Sequence, residues 1–189
     1  RPPTPLRPLS MTEKLQLSLT LFPEPVLRKV AEPVERFDAE LQETVRAMLE
    51  LMYEPEGVGL AAPQVGLRRR ILVLNPSGDP ADELALVNVT ITDRSGPETS
   101  FDEGCLSFPG IYAEVERAKK ITVRYRDLQG GEQELRADDF LARSVLDHDP
   151  ASRQADAAQP GDRAGPYALV HRLGRGGHPA GGERPRGRR

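Results

Sequence analysis

Two short segments hold side chains whose types and spacing could do chemistry. The first is Gly57-Val58-Gly59-Leu60-Ala61-Ala62-Pro63-Gln64. Two glycines around one residue let the backbone approach a ligand closely or take positive φ. Pro63 stiffens the exit, and the Gln64 carboxamide can donate to an oxygen. A Gly-x-Gly alone is more often an ordinary helix-to-strand loop. The second segment is Glu103-Gly104-Cys105-Leu106-Ser107. A lone cysteine is most often a small buried hydrophobe. Beside Gly104 and after the acidic pair Asp102-Glu103, Cys105 would also suit a thiolate metal ligand with exposed backbone next to it. The chain has 1 cysteine and 3 histidines, which excludes an internal disulfide framework and leaves few metal-ligand combinations.

The elements that must position these segments alternate between helix and strand signals. Phe37, Leu41, Val45, Met48, Leu49 and Met52 recur at helical spacing behind Asp38, a plausible cap, which predicts an amphipathic helix over 38–53. Ile71 to Leu74 has the length and composition of a buried strand, and Leu84 to Thr92 is a second. Ile111 to Glu116 and Ile121 to Arg126 alternate or are β-branched, and Gln129-Gly130-Gly131 supplies a turn into a strand over 132–136. Asp138 then caps a last helix through Phe140, Leu141 and Val145. One helix, a run of strands and a helix predict an α+β fold with an antiparallel sheet. The chemistry is expected where loops meet the last helix.

The charge is unevenly spread. The 189 residues carry 26 basic and 29 acidic side chains, a net charge of −3. Residues 151–189 hold 8 Arg against 3 acidic residues, 8 of the 17 glycines and no lysine. Their only larger apolar side chains are Tyr167, Leu169, Val170 and Leu173, too few to offset the entropy of ordering. Residues 1–10 and the Arg/Gly/Pro-rich 150–189 are therefore expected to be disordered, with the folded domain over 11–149 and Met11 as the natural start. No apolar run approaches the roughly 18 residues of a membrane span. The N-terminal RPPTPLRPLS lacks the apolar stretch of a secretory signal. A cytoplasmic location follows as the expectation.

Taken together, GVGLAAPQ and EGCLSFPG resemble the first two signature motifs of the peptide deformylase family, G-x-G-L-A-A-P-Q and E-G-C-L-S. Both are complete and in the family's order. LFPEPVLRKVAEPV and AEVERAKKITVRYRDLQG are similar to the flanking segments, and the resemblance covers about residues 15–148. It implies an α+β fold with antiparallel sheets around a C-terminal metal-site helix. It also implies metal-dependent removal of the N-formyl group from the N-terminal methionine of newly made polypeptides. In the family a divalent ion, usually Fe²⁺, is held by the cysteine and by two histidines of an H-E-x-x-H helix, which leaves a position for water. Carried over, Cys105 and His148 are metal ligands, and Gln64 with the Leu106 amide are oxyanion donors. Asp149 is a stand-in for the family's glutamate base. Val58, Gly59, Glu103 and Gly104 match substrate-lining or site-bracing positions. Zn²⁺ or Ni²⁺ also suits a Cys/His site.

The third motif departs from the family. Here Ser144-Val145-Leu146-Asp147-His148-Asp149-Pro150-Ala151-Ser152 stands where H-E-x-x-H belongs. His148 takes the first histidine's place if one residue is inserted, Asp149 is one methylene short of glutamate, and Ser152 replaces the second histidine. Pro150 would break a helix there at a cost of about 3 kcal/mol, so the helix is expected to end near Asp147 or His148. His171 and His178 are the remaining imidazoles, in a segment whose composition favours solvation. A changed reading frame near Ser144 would account for the abrupt loss. Three readings follow: a deformylase acting on formylmethionyl peptides and ribosome-associated nascent chains as a monomer; an inactive or frame-disrupted relative; and, from another class, an RNA- or ribosome-binding protein using its basic tail. The arginines of that tail are mostly scattered singly, which disfavours nucleic acid.

Overall fold

The computed structural model describes residues 15–148. Helix α1 spans Ala39–Tyr53, and strands β1 (Gly59–Ala61), β2 (Ile71–Leu74), β3 (Leu84–Cys105), β4 (Phe108–Arg126) and β5 (Glu132–Asp138) follow before helix α2 (Asp139–His148). The strands form one antiparallel sheet in the order β1-β2-β3-β4-β5. This is the expected α+β class. Among the described residues no helix is long and apolar enough to cross a membrane.

The sheet is apolar on both faces at its centre, and β2 shows why. Strand side chains alternate between faces. Ile71 and Val73 join Leu41, Val45, Met48 and Met52 of α1, together with Leu60 and Val87, in one buried cluster. Leu72 and Leu74 point the other way, into a second cluster with Leu86, Val89, Ile121, Val123, Ala142, Val145 and Leu146. A strand covered on both sides reads as a continuous apolar run, as Ile71–Leu74 does. Each fully buried side chain of this size contributes about 1.5–3 kcal/mol, so the two helices are held chiefly by these contacts.

The predicted helix over 38–53 forms, and Asp38 caps it: its side chain accepts from the Leu41 N–H at 3.2 Å. At the other end the Gly57 N–H donates to Met52 O at 2.9 Å, so α1 delivers the chain directly into the first glycine segment. Three expectations need correction. Residues 59–61 pair with Leu72–Leu74 as strand β1, although they read as loop. The strand expected over 84–92 continues to Cys105, and the two strands expected over 111–116 and 121–126 are one, β4. In β3 residues 92–102 are exposed on both faces, so no apolar alternation marks them, and in β4 the mostly polar stretch 117–120 separates the two apolar segments. Asp138 closes β5, and Asp139, at φ 45°, opens α2. The described part of α2 runs to His148, and the expected helix end near Asp147 or His148 falls at the limit of the described residues, which leaves it open. Residues 1–10 and 150–189 lie outside the described residues.

Replacing Asp38 by Ala removes the acceptor for the Leu41 N–H, and stability should fall by about 1 kcal/mol. The urea midpoint should drop with the slope unchanged; an unmoved midpoint would show that the cap contributes nothing.

Candidate active site

The hairpin turns at Leu106-Ser107, where Cys105 pairs with Phe108 as the last rung. Behind it the register shifts, so that Gly104 faces Tyr112. Such a bulge re-aims the strand end. The tip is pinned to the N-terminal segment, where the Phe22 N–H donates to Ser107 O at 3.0 Å and the Phe22 and Phe108 rings stack at 5.2 Å. The Leu106 side chain packs against the α1 cluster. Cys105 is thus held on a well-anchored turn.

Gln64 lies in the 3-10 turn Ala62–Val65 that follows β1. Its Oε1 accepts from the Ala61 N–H at 2.8 Å, which fixes the amide orientation, and Nε2 donates to Cys105 Sγ at 3.5 Å. Both residues are buried, Gln64 completely. The two glycine-containing segments, 41 residues apart between these side chains, therefore meet.

His148 ends the described part of α2, buried, with Nδ1 2.9 Å from Ser144 O. A carbonyl only accepts, so Nδ1 is the donor in this bond, which fixes the ring's orientation. The imidazole lies on β1: a Cβ built on Gly59 would stand 2.9 Å from its Nδ1 and Cε1, and 2.8 Å from Leu74 Cδ2. Position 59 admits only glycine while the ring stays where it is. Val58 is half-buried, and its carbonyl accepts from the Asn75 N–H at 2.9 Å. At Gly104, on the hairpin, a Cβ would meet the Tyr112 ring at 2.8 Å. That ring is 73% exposed, so it could swing away.

Glu103 faces inward. Arg117 donates from Nε at 3.2 Å and 3.3 Å to its two oxygens and from Nη2 at 2.8 Å, and Arg143 Nη1 donates at 2.7 Å. Its side chain is 7% exposed, and both oxygens are committed to the two guanidiniums. Neither arginine was singled out from sequence. The available signal was indirect: a carboxylate two residues from Cys105 on the same strand face needs a buried cation. Ser107 Oγ is buried and meets no hydrogen-bond partner among the described residues. Asp149, Ser152, His171 and His178 lie outside the described residues.

The donor set fits a metal only in part. A thiol and an imidazole are two of the three ligands expected, and among the described residues no three His, Cys, Asp or Glu side chains gather around a common point. The described residues alone do not complete a three-ligand catalytic site.

The hairpin tip sets the Cys105 thiol against the oriented Gln64 carboxamide, and the strand that leads to Gln64 carries the His148 ring at Gly59, all on an α+β frame. The polypeptide deformylase family model matches residues 17–149. The peptide deformylase of Bartonella tribocorum is 44% identical over 136 residues, 70% of this chain and 76% of that protein. The Thermotoga maritima peptide deformylase crystal structure matches with a TM-score of 0.69 at 37% identity, covering 74% of this chain and 93% of that one. The Synechococcus elongatus enzyme in complex with actinonin matches with a TM-score of 0.70 at 41% identity, over 72% and 76%. The chain belongs to the peptide deformylase family, metal-dependent hydrolases that act on formylmethionyl nascent peptides.

Gly59→Ala should force the imidazole or Leu74 aside and lower stability by about 1–3 kcal/mol. Gly104→Ala should cost much less, because an exposed tyrosine yields. Urea denaturation of the two variants checks the ordering; equal losses would contradict the close packing of His148 on β1.

Proposed function

We propose that this chain performs the deformylase reaction on formylmethionyl peptides, including ribosome-associated nascent chains, but with low turnover. The observation that carries the reading is the 3.5 Å approach of the Gln64 carboxamide to Cys105 Sγ, which joins the two family motifs in one place. In this reading Cys105 and His148 hold a divalent ion, Fe²⁺ with Zn²⁺ or Ni²⁺ as alternatives. When bound, such an ion supplies Lewis acidity to the formyl carbonyl and to the attacking water.

The chain's own residues do the rest. The second N–H of Gln64 Nε2 and the Leu106 backbone N–H donate to the formyl oxygen as it gains negative charge. His148 Nδ1–H donates to Ser144 O and so holds the ring in one orientation. Val58, Gly59 and Gly104 border the substrate, while Glu103 braces the strand that carries Cys105. Asp149 takes the proton from water and returns it to the leaving amine, at reduced efficiency because its carboxylate is one methylene short; misplacement near 1 Å costs on the order of 100-fold. The domain runs over about 11–149, with 150–189 unrelated to the family, a division supported by a family match that stops at residue 149. The protein works as a cytoplasmic monomer.

The low turnover rests on sequence as well as geometry: Ser152, four residues after His148, replaces the second imidazole. Each strong ligand contributes several kcal/mol, out of about 10–16 kcal/mol for closed Cys/His zinc sites, so metal should bind orders of magnitude more weakly. Purified protein should carry less than one equivalent of metal by mass spectrometry and release little formate from formyl-Met peptides. Stoichiometric metal together with turnover typical of the family would overturn the proposal, and would point to His171 or His178 as the third ligand.

A further inference from the structure

Arg143 belongs to none of the three motifs, yet its guanidinium reaches both strands of the hairpin from α2. Nη1 donates to Glu103 Oε1 at 2.7 Å and to Val115 O at 3.1 Å. Nη2 donates to Thr99 O at 2.6 Å and to Thr99 Oγ1 at 2.9 Å. Glu103 and Thr99 lie on β3 and Val115 on β4, and the guanidinium also sits 5.4 Å from the Phe101 ring centre. With 10% of the Arg143 side chain exposed, water competes poorly for these bonds.

The offsets to the site are fixed by regular structure. Glu103 precedes Cys105 by two residues, hence shares its strand face. Arg143 precedes His148 by five residues on one helix, about 7.5 Å along its axis. Arg117 also neutralises Glu103, from β4 within the hairpin itself. We infer that Arg143 is a positioning residue: it sets the hairpin tip that carries Cys105 against the helix end that carries His148. The significance of the pair rests on the ligand roles proposed above, whereas the joint itself requires no metal. Lysine at this position would keep a charge opposite Glu103 but lose the forked bonds to Thr99 and Val115.

The test uses the metal-free full chain. Cys105 is the only thiol, so its rate of reaction with an aromatic disulfide reports the hairpin tip. The Cε1–H resonance of His148, assigned by its loss in His148→Ala, reports the helix end. Val145→Ala is the control, since it empties a buried apolar position on the same helix and removes neither of the two cations bonded to Glu103. Arg143→Ala should raise the thiol rate on the order of tenfold and shift the His148 signal, with Arg143→Lys partway between it and wild type. Val145→Ala, brought to the same global stability with urea, should leave both readouts near wild type. Folded Arg143 variants with wild-type thiol rate and His148 signal would overturn the inference, as would equal changes in Val145→Ala. Failure of Arg143→Lys to fold would also overturn it, because the residue would then be a stability element. Failure of the wild-type chain to bind added Co²⁺ would count against the ligand roles of Cys105 and His148 and leave these readouts intact.

Discussion

The carboxylate of Glu103, buried between Arg117 and Arg143, is the joint on which the geometry of the site depends. Removing a carboxylate from water costs several kcal/mol, and one partner in poor geometry would not offset that. Here Arg117 reaches both oxygens and Arg143 adds a further short bond at 2.7 Å, so the charge is satisfied from two directions. Such a group contributes little net stability compared with an apolar substitute, but losing one of its partners costs about 3–5 kcal/mol. Its effect is to specify one arrangement of hairpin and helix.

The apolar frame makes that arrangement affordable. With α1 on one face of the central strands and α2 on the other, β2 is wholly buried and cannot slip by one residue without exchanging its two cores. Register in β2 fixes β1, and β1 fixes Gly59 beneath the His148 ring. The polar chemistry therefore sits at the edge of a frame that hydrophobic packing has already set.

How much of this the sequence displays depends on the range of the signal. Helix α1 was legible because five apolar residues, Leu41, Val45, Met48, Leu49 and Met52, repeat at helical spacing behind a capping aspartate. Strand β1 was not, since three residues flanked by Gly57 and Pro63 read as loop. The outer reach of β3 was hidden because residues 92–102 are exposed on both faces, with no buried face to mark them. Gln64 and Cys105 were legible only jointly: each segment alone had an ordinary structural reading, and the combination was specific. Arg117 and Arg143, 14 and 40 residues from Glu103, gave no local signal, because a charge pair across that separation exists only once the fold does.

On the proposed function, Cys105 and His148 form a ligand pair that this chain leaves incomplete. X-ray absorption spectroscopy of the Zn²⁺-saturated protein tests it most directly, because sulfur and imidazole scatterers are counted separately. One sulfur at about 2.3 Å and a single imidazole are expected, with lighter scatterers completing the shell. Two imidazoles, or no sulfur at all, would contradict it.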